Sequence, residues 1–164
     1  VEKSYSRNYY MLFTGSIFDS KYRSLSGEWY NTIFSSKFQG NILGGKEWRV
    51  GKDKNNVIGA NVKFVINGGE RTTPILLDES MDAGHTVWDD SRRYSESIGI
   101  YHRFDIGVNY KINRSSLTHT VTLDIQNVTN RLNPFNDYYE PAIGMVDYDY
   151  HTGLFPVLSY RIEF

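Results

Sequence analysis

At 164 residues the chain is long enough for one ordinary domain, and with no cysteine it has neither a disulfide framework nor a thiolate metal site. A formal net charge of -1 and the lack of a basic cluster give no field that favours nucleic acid or anionic lipid. A mean hydropathy of -0.49, with no apolar run near the roughly 18 residues of a membrane-crossing helix, excludes a helical membrane protein but not a β-barrel, whose strands are only half apolar. The aromatic share of 15%, led by thirteen Tyr and nine Phe, suits half-wet surfaces such as interfacial belts, ligand grooves or strand faces. The chain opens on Val1 with no leader, and we read it as processed or as a piece of a longer protein.

Helical periodicity is nearly absent and period-two alternation recurs. From Arg7 to Lys21, the run Tyr9-Tyr10-Met11-Leu12-Phe13 is apolar on both faces, so its orientation stays unassigned. From Thr32 to Trp48, Phe34, Phe38 and Ile42 fall on one face with Lys37, Gln39 and Asn41 opposite. Ile58, Ala60, Val62, Phe64 and Ile66 then alternate with Gly59, Asn61, Lys63 and Asn67. Phe104, Ile106, Val108, Tyr110 and Ile112 alternate with Asp105, Gly107, Asn109 and Lys111, and Val121, Leu123 and Ile125 with Thr122, Asp124 and Gln126. The last strand puts Leu158, Tyr160, Ile162 and Phe164 on one face and Val157, Ser159, Arg161 and Glu163 on the other. That makes about six antiparallel strands with one apolar and one polar wall.

The connectors alternate in character. Trp48–Asn56 and Asn113–Thr118 read as short polar turns, whereas Gly68–Gly99 and Asn130–Gly153 are long, acidic and rich in Pro and Gly. Long loops at one end and short turns at the other, on strands longer than the globular norm, is the asymmetry of an outer-membrane barrel. If Phe164 marks the periplasmic rim, both long loops and the shorter Ser20–Glu28 lie outside the cell.

Phe18-Asp19-Ser20-Lys21-Tyr22, Asn41-Ile42-Leu43-Gly44-Gly45-Lys46-Glu47, Leu123-Asp124-Ile125-Gln126-Asn127-Val128-Thr129-Asn130, and Gly153-Leu154-Phe155-Pro156 through Tyr160-Arg161-Ile162-Glu163-Phe164 carry a likeness. In this order they resemble the C-terminal barrel strands of TonB-dependent outer-membrane receptors, above all the Bacteroidetes-type receptors with a carboxypeptidase-regulatory-like domain. The resemblance spans residues 1–164 and rests on the ordered set rather than on one motif. It implies an all-β, antiparallel transmembrane β-barrel, of which the chain holds about the last six strands. The full wall would be 22-stranded, the size at which outer-membrane transporters hold a plugged lumen. It further implies a cell outer membrane location in a Gram-negative bacterium and TonB-dependent transport of a large or scarce substrate (siderophore, cobalamin, glycan or peptide). Lipid, the receptor's own plug domain, TonB through that plug, and the barrel assembly machinery are the implied partners. The likeness does not decide whether a surface lipoprotein caps the barrel. The plug and the other strands lie outside this chain, which by itself would transport nothing, since an open sheet leaves unpaired edges in hydrocarbon.

Tyr160, Ile162 and Phe164 resemble the signal that the assembly machinery reads; the plain alternative is an amphipathic edge strand. In the first long loop, Asp78, Glu79, Asp82, His85, Asp89 and Asp90 have neither calcium-loop nor zinc spacing, which favours a solvated loop. Trp88, Arg92 and Arg93 in that loop, and Tyr138, Tyr139, Tyr148 and Tyr150 in the second, are the candidate ligand-contacting residues. For the aromatics, stacking on a substrate stands beside packing of loop on loop. Lys37, Gln39, Asn61, Lys63, Asp105, Asn109, Lys111, Asp124, Gln126, Arg161 and Glu163 are expected to line the lumen, with Asp124 a candidate to pair with Arg161 or Lys111. Gly44-Gly45 and Gly68-Gly69 sit at expected strand ends with no following helix, so they are not phosphate loops. The four histidines show no nucleophile–base spacing, so neither catalysis nor a cofactor is expected. The competing reading from another class is a soluble β-sandwich carbohydrate-binding module, which requires one dry core.

Overall fold

Alternation at period two builds strands, and they are the main elements of the computed structural model, which describes residues 1–164. In chain order they are β1 (Glu2–Ser6), β2 (Tyr9–Ile17), the small hairpin β3 (Lys21–Arg23) and β4 (Trp29–Asn31), β5 (Phe38–Val50) and β6 (Asn56–Asn67). Next come β7 (Arg71–Thr72), helix α1 (Leu77–Ala83), a 3-10 turn (Asp90–Arg92) and β8 (Glu96–Ser97). The chain ends with β9 (Tyr101–Asn113), β10 (Thr118–Gln126), the hairpin β11 (Pro134–Glu140) and β12 (Met145–Tyr150), and β13 (Phe155–Glu163). One antiparallel sheet of seven strands, ordered β1-β2-β5-β6-β9-β10-β13, carries the rest. It is open, with β1 and β13 as its edges.

The register aligns the alternation of every strand. One face carries the row Phe13–Ile42–Phe64–Phe104 near the long connectors and the row Trp48–Ile58–Tyr110–Val121–Tyr160 near the short turns. Six residues of strand, about 20 Å at 3.3 Å per residue, separate the two aromatic rows. Between them run Met11–Gly44–Val62–Ile106–Ile125 and Tyr9–Lys46–Ala60–Val108–Leu123–Leu158. This settles β2: Tyr9, Met11 and Phe13 face the apolar side, Tyr10 and Leu12 the polar side. Asn61, Lys63, Asn109, Lys111, Asp124 and Gln126 share the polar face, as their alternation requires.

The apolar face is bare. The chain exposes 11110 Å², against about 8,400 Å² for a compact monomer of this mass. Tyr139, in a connector, is the one large apolar residue of the buried core, while Met11, Val62, Val108, Leu123 and Leu158 stand at least 40% exposed. Nothing in the chain forms a second layer on this sheet. Its two lysines turn toward the short-turn end. Lys46 Nζ lies 5.6 Å from the Trp48 ring, and Lys3 Nζ lies 3.7 Å from the Tyr9 ring and bonds Ser6. The Tyr110 and Tyr160 hydroxyls point the same way, to Asn56 at 3.1 Å and His119 at 2.6 Å.

On the polar face glycines seat the side chains of neighbouring strands. A Cβ on Gly45 would stand 2.6 Å from the Tyr10 ring, and one on Gly59 2.5 Å from Asn109 Nδ2. Asn61 and Asp124 likewise cover Gly107. Gly45→Ala is therefore expected to cost about 1–3 kcal/mol of stability by overpacking. Combined with Tyr10→Ala it should cost less than the two single changes summed, a coupling that a double-mutant cycle measures.

Several expectations are corrected. The wall has seven strands, because β1 pairs with β2 through a two-residue turn whose Arg7 and Asn8 both have positive φ (53 and 66°), a primed turn without glycine. The strand expected from Thr32 begins only at Phe38, since Lys37 takes φ 66° and ends the preceding loop; Phe34 and Lys37 therefore belong to neither wall. Gly44 and Gly45 lie in mid-strand rather than at an end. Asp124 pairs with neither Arg161 nor Lys111: both cations turn to Glu163, at 4.0 and 3.9 Å, while Asp124 covers Gly107. The long connectors are structured, one by α1 and the β7–β8 pair, the other by the β11–β12 hairpin.

The net charge of -1 conceals a separation along the strands. The 68–100 connector carries seven carboxylates, Glu70, Asp78, Glu79, Asp82, Asp89, Asp90 and Glu96, against Arg71, Arg92 and Arg93. The short-turn end instead gathers Lys3, Arg7, Arg49, Lys52, Lys54, Lys111, Arg114 and Arg161 from distant parts of the chain, against Glu47, Asp53 and Glu163. The reading that no basic cluster exists holds along the sequence and fails in space.

Candidate functional site

The three long connectors stand at one end of the sheet and are bonded into a single cap. Arg71 is the chief tie: its Nε donates to Ser35 O at 2.9 Å and its Nη1 to Ser95 O at 3.2 Å. Asn31 Nδ2 donates to Tyr94 O at 3.0 Å, joining the first connector to the second. Thr72 Oγ1 donates to Asp137 Oδ1 at 2.6 Å, and the Tyr139 N–H to Thr86 Oγ1 at 2.9 Å, joining the second to the third.

Where the three meet lies a cleft of about 340 Å³. Ile33 comes from the first connector; Glu70, Arg71, Trp88, Arg93 and Tyr94 from the second; Phe135 and Asp137 from the third. Trp88 is held there by a bridge to Ile75, and Asp89, next to it, caps the 3-10 turn. Both Asp89 and Asp90 are engaged. Ser91, and then Arg92 at 2.6 Å, hold the Asp89 carboxyl below the usual carboxylate range. Arg93 bonds Asp90 at 2.7 Å, and that contact, then the Tyr22 hydroxyl, raises its already high value.

Of the expected ligand-contacting residues, Trp88 and Arg93 line the cleft. Arg92 does not; it is spent on Asp89. The four tyrosines separate. Tyr139 is buried and packs loop on loop. Tyr148 and Tyr150 remain exposed, their rings 6.4 Å apart. Tyr138 lies on the opposite face of the hairpin, across from Asp147, where burial, then Asp147, Asp149 and Glu140, push its hydroxyl up. Phe135, one of the aromatics of the second long loop, joins Trp88 and Arg93 in the cleft, while Tyr94 and Asp137 are cleft residues that sequence reading did not single out, because their convergence depends on Thr72 meeting Asp137 across 65 residues.

The chain matches no family model, no curated protein and no solved structure.

The foot of the cap is fixed by asparagines, also unforeseen. Asn127 is fully buried at φ 52°, its Nδ2 donating to Arg131 O at 2.8 Å and Thr152 O at 3.1 Å. Asn133, equally buried, bonds the backbone of His102 as a strand residue would: Nδ2 donates to His102 O at 2.9 Å and Oδ1 accepts the His102 N–H at 3.1 Å. Asn130 Oδ1 accepts the Leu154 N–H at 2.8 Å, which starts β13. The spacing Asn127, Asn130, Asn133 was the available signal.

At the other end Tyr160, Ile162 and Phe164 share the apolar face of β13, which pairs only with β10. Tyr160 stacks on His119 at 6.0 Å. Chemically, the cleft joins ring faces (Trp88, Phe135) to carboxylate acceptors (Glu70, Asp137), with Arg71 committed to the backbone. That arrangement suits holding a ligand by stacking and hydrogen bonds.

Proposed function

We propose that the chain is the C-terminal part of a TonB-dependent receptor wall in a Gram-negative outer membrane, serving uptake of a large or scarce substrate. The observation that carries this reading is the apolar face, continuous over the six strands from β2 to β13, bounded by two aromatic rows about 20 Å apart and left uncovered by the chain. An outer-membrane strand presents such a band to lipid between aromatic girdles, with short turns at one end and long loops at the other. Lys46 supports it, since a cation near the rim of a lipid band folds back toward the headgroups. A sandwich module would need a second layer on this face.

On this reading the polar face lines the lumen, the cap faces outward, and the cleft at Trp88, Phe135 and Asp137 contributes to ligand capture. The strands supply wall and the cap supplies contacts; gating belongs to plug and TonB.

The test starts with the full reading frame, which should continue upstream into a plug domain and a leader. Its product should fractionate with the outer membrane and migrate anomalously before heating. A folded, soluble product consisting of these residues alone would overturn the reading. In the intact receptor, deletion of Phe164 is expected to reduce outer-membrane assembly several-fold, scored by heat-modifiable mobility; unchanged assembly would remove Tyr160, Ile162 and Phe164 as a signal.

A further inference from the structure

The polar face ends, at the short turns, in a cationic row that the wall does not neutralise. Arg49, Lys111 and Arg161 occupy one register row: Arg49 pairs with Val57, Val57 with Lys111, Lys111 with Thr120 and Thr120 with Arg161. Below them Lys54 and Arg114 project from two adjacent turns around a hollow of about 590 Å³, shared with Arg49 and lined by no acidic residue. Three carboxylates lie near enough to compete. Glu47 accepts the Tyr5 hydroxyl at 2.5 Å, Glu163 stands 3.9 and 4.0 Å from Lys111 and Arg161, and Asp53 sits in the β5–β6 turn. Arg49, Lys54 and Arg114 have no ion-pair partner, and Lys111 and Arg161 share one.

We propose that this row docks an acidic polypeptide segment lying across the strands at the lumenal mouth. The inference rests on the proposed orientation, because only then is the polar face shut off from lipid headgroups and open to protein. The spacing decides the form of the segment. Successive cations of the row are two strands apart, about 9.6 Å. A polyproline-type chain advances about 9.3 Å in three residues and returns its side chains to the same side, so a carboxylate at every third residue meets Arg49, Lys111 and Arg161 in turn. A β-conformation would turn every third side chain away.

The experiment uses the intact receptor in detergent and a fluorescent (Glu-Pro-Pro)4 peptide followed by anisotropy. Binding is expected, weakening as salt rises. The triple change R49Q/K111Q/R161Q should weaken it about tenfold, equivalent to 1.4 kcal/mol. R49Q alone, which breaks no ion pair, should weaken it about twofold to threefold, and K21Q/R23Q in the cap should leave it unchanged. The proposal is overturned if the triple variant binds as the parent does, or if (Gln-Pro-Pro)4 or a peptide with its four glutamates adjacent binds equally. Displacement of the peptide by phosphatidylglycerol vesicles or inorganic phosphate at submillimolar phosphate would also overturn it, as it would point to a phosphate site. A receptor that fractionates with the outer membrane yet ignores the peptide loses this inference alone; a soluble product removes the orientation, and both fall together.

Discussion

Asn127→Ala should lower the unfolding free energy by about 2–4 kcal/mol, the largest effect of any single truncation in the cap. Two contributions add. The amide is fully buried and holds four bonds: it donates to Arg131 O and Thr152 O and accepts from the Arg131 N–H and Thr129 Oγ1. Removing it leaves the groups it bonds without that partner, at about 1–3 kcal/mol where the unmet group is buried. The residue also sits at φ 52°, which alanine adopts at a cost of roughly 1 kcal/mol and asparagine tolerates. Asn127→Gly separates the two, since it loses the bonds but not the backbone freedom, and should fall about 1 kcal/mol short of the alanine effect. Denaturant unfolding of the intact protein, followed by tryptophan emission, gives these differences. Equal losses for Ala and Gly would show that the backbone conformation contributes nothing.

That site marks the boundary of what the sequence discloses. β6, β9, β10 and β13 were readable because each alternates apolar and polar side chains over at least six residues and loses the pattern at polar turns. The separation into long and short connectors was readable for the same reason. β1 was not: Glu2-Lys3-Ser4-Tyr5-Ser6 has no apolar face, and its turn uses Arg7 and Asn8 where glycine would have signalled it. Helix α1, at seven residues, is too short to display a period, and ends on Gly84 at φ 71°. The cleft was half readable. Trp88 and Arg93 stood out as an aromatic and a cation in a long loop, but Arg92, equally prominent, is consumed by Asp89 three residues away. Convergence of Ile33, Trp88 and Phe135 depends on ties between distant connectors, which leave no periodic trace. Charge shows the same limit: Arg49, Lys111 and Arg161 are 62 and 50 residues apart in the chain and adjacent in one register row.

On the proposed membrane reading, Val62→Arg is expected to destabilise the protein in bilayers by about 2–4 kcal/mol, whereas Ile58→Arg, in the rim row itself, costs about 0–1 kcal/mol. The two residues share a strand and a face and stand four residues apart, about 13 Å. Val62 lies in one of the two inner rows of the band, between Gly44 and Ile106, one row from Phe64 and two from Ile58. Ile58 lies in the row of Trp48 and Tyr110, where the Tyr110 hydroxyl already meets Asn56. The native chain contains a version of this experiment: Lys46, one row inside the rim, is accommodated by folding toward Trp48. Asn61→Arg, pointing the other way, should cost little, because the polar face is wet. A protein core gives a different profile, as it has no headgroup region along the strand, so Val62→Arg and Ile58→Arg would then cost alike. Unfolding free energies in liposomes for the three variants supply the comparison. A steep fall from Val62 to Ile58 with little loss at Asn61 identifies lipid as the medium on the apolar face; equal losses at Val62 and Ile58 identify a second protein layer. The gradient along the strand decides this, since a large loss at Val62 alone is common to both.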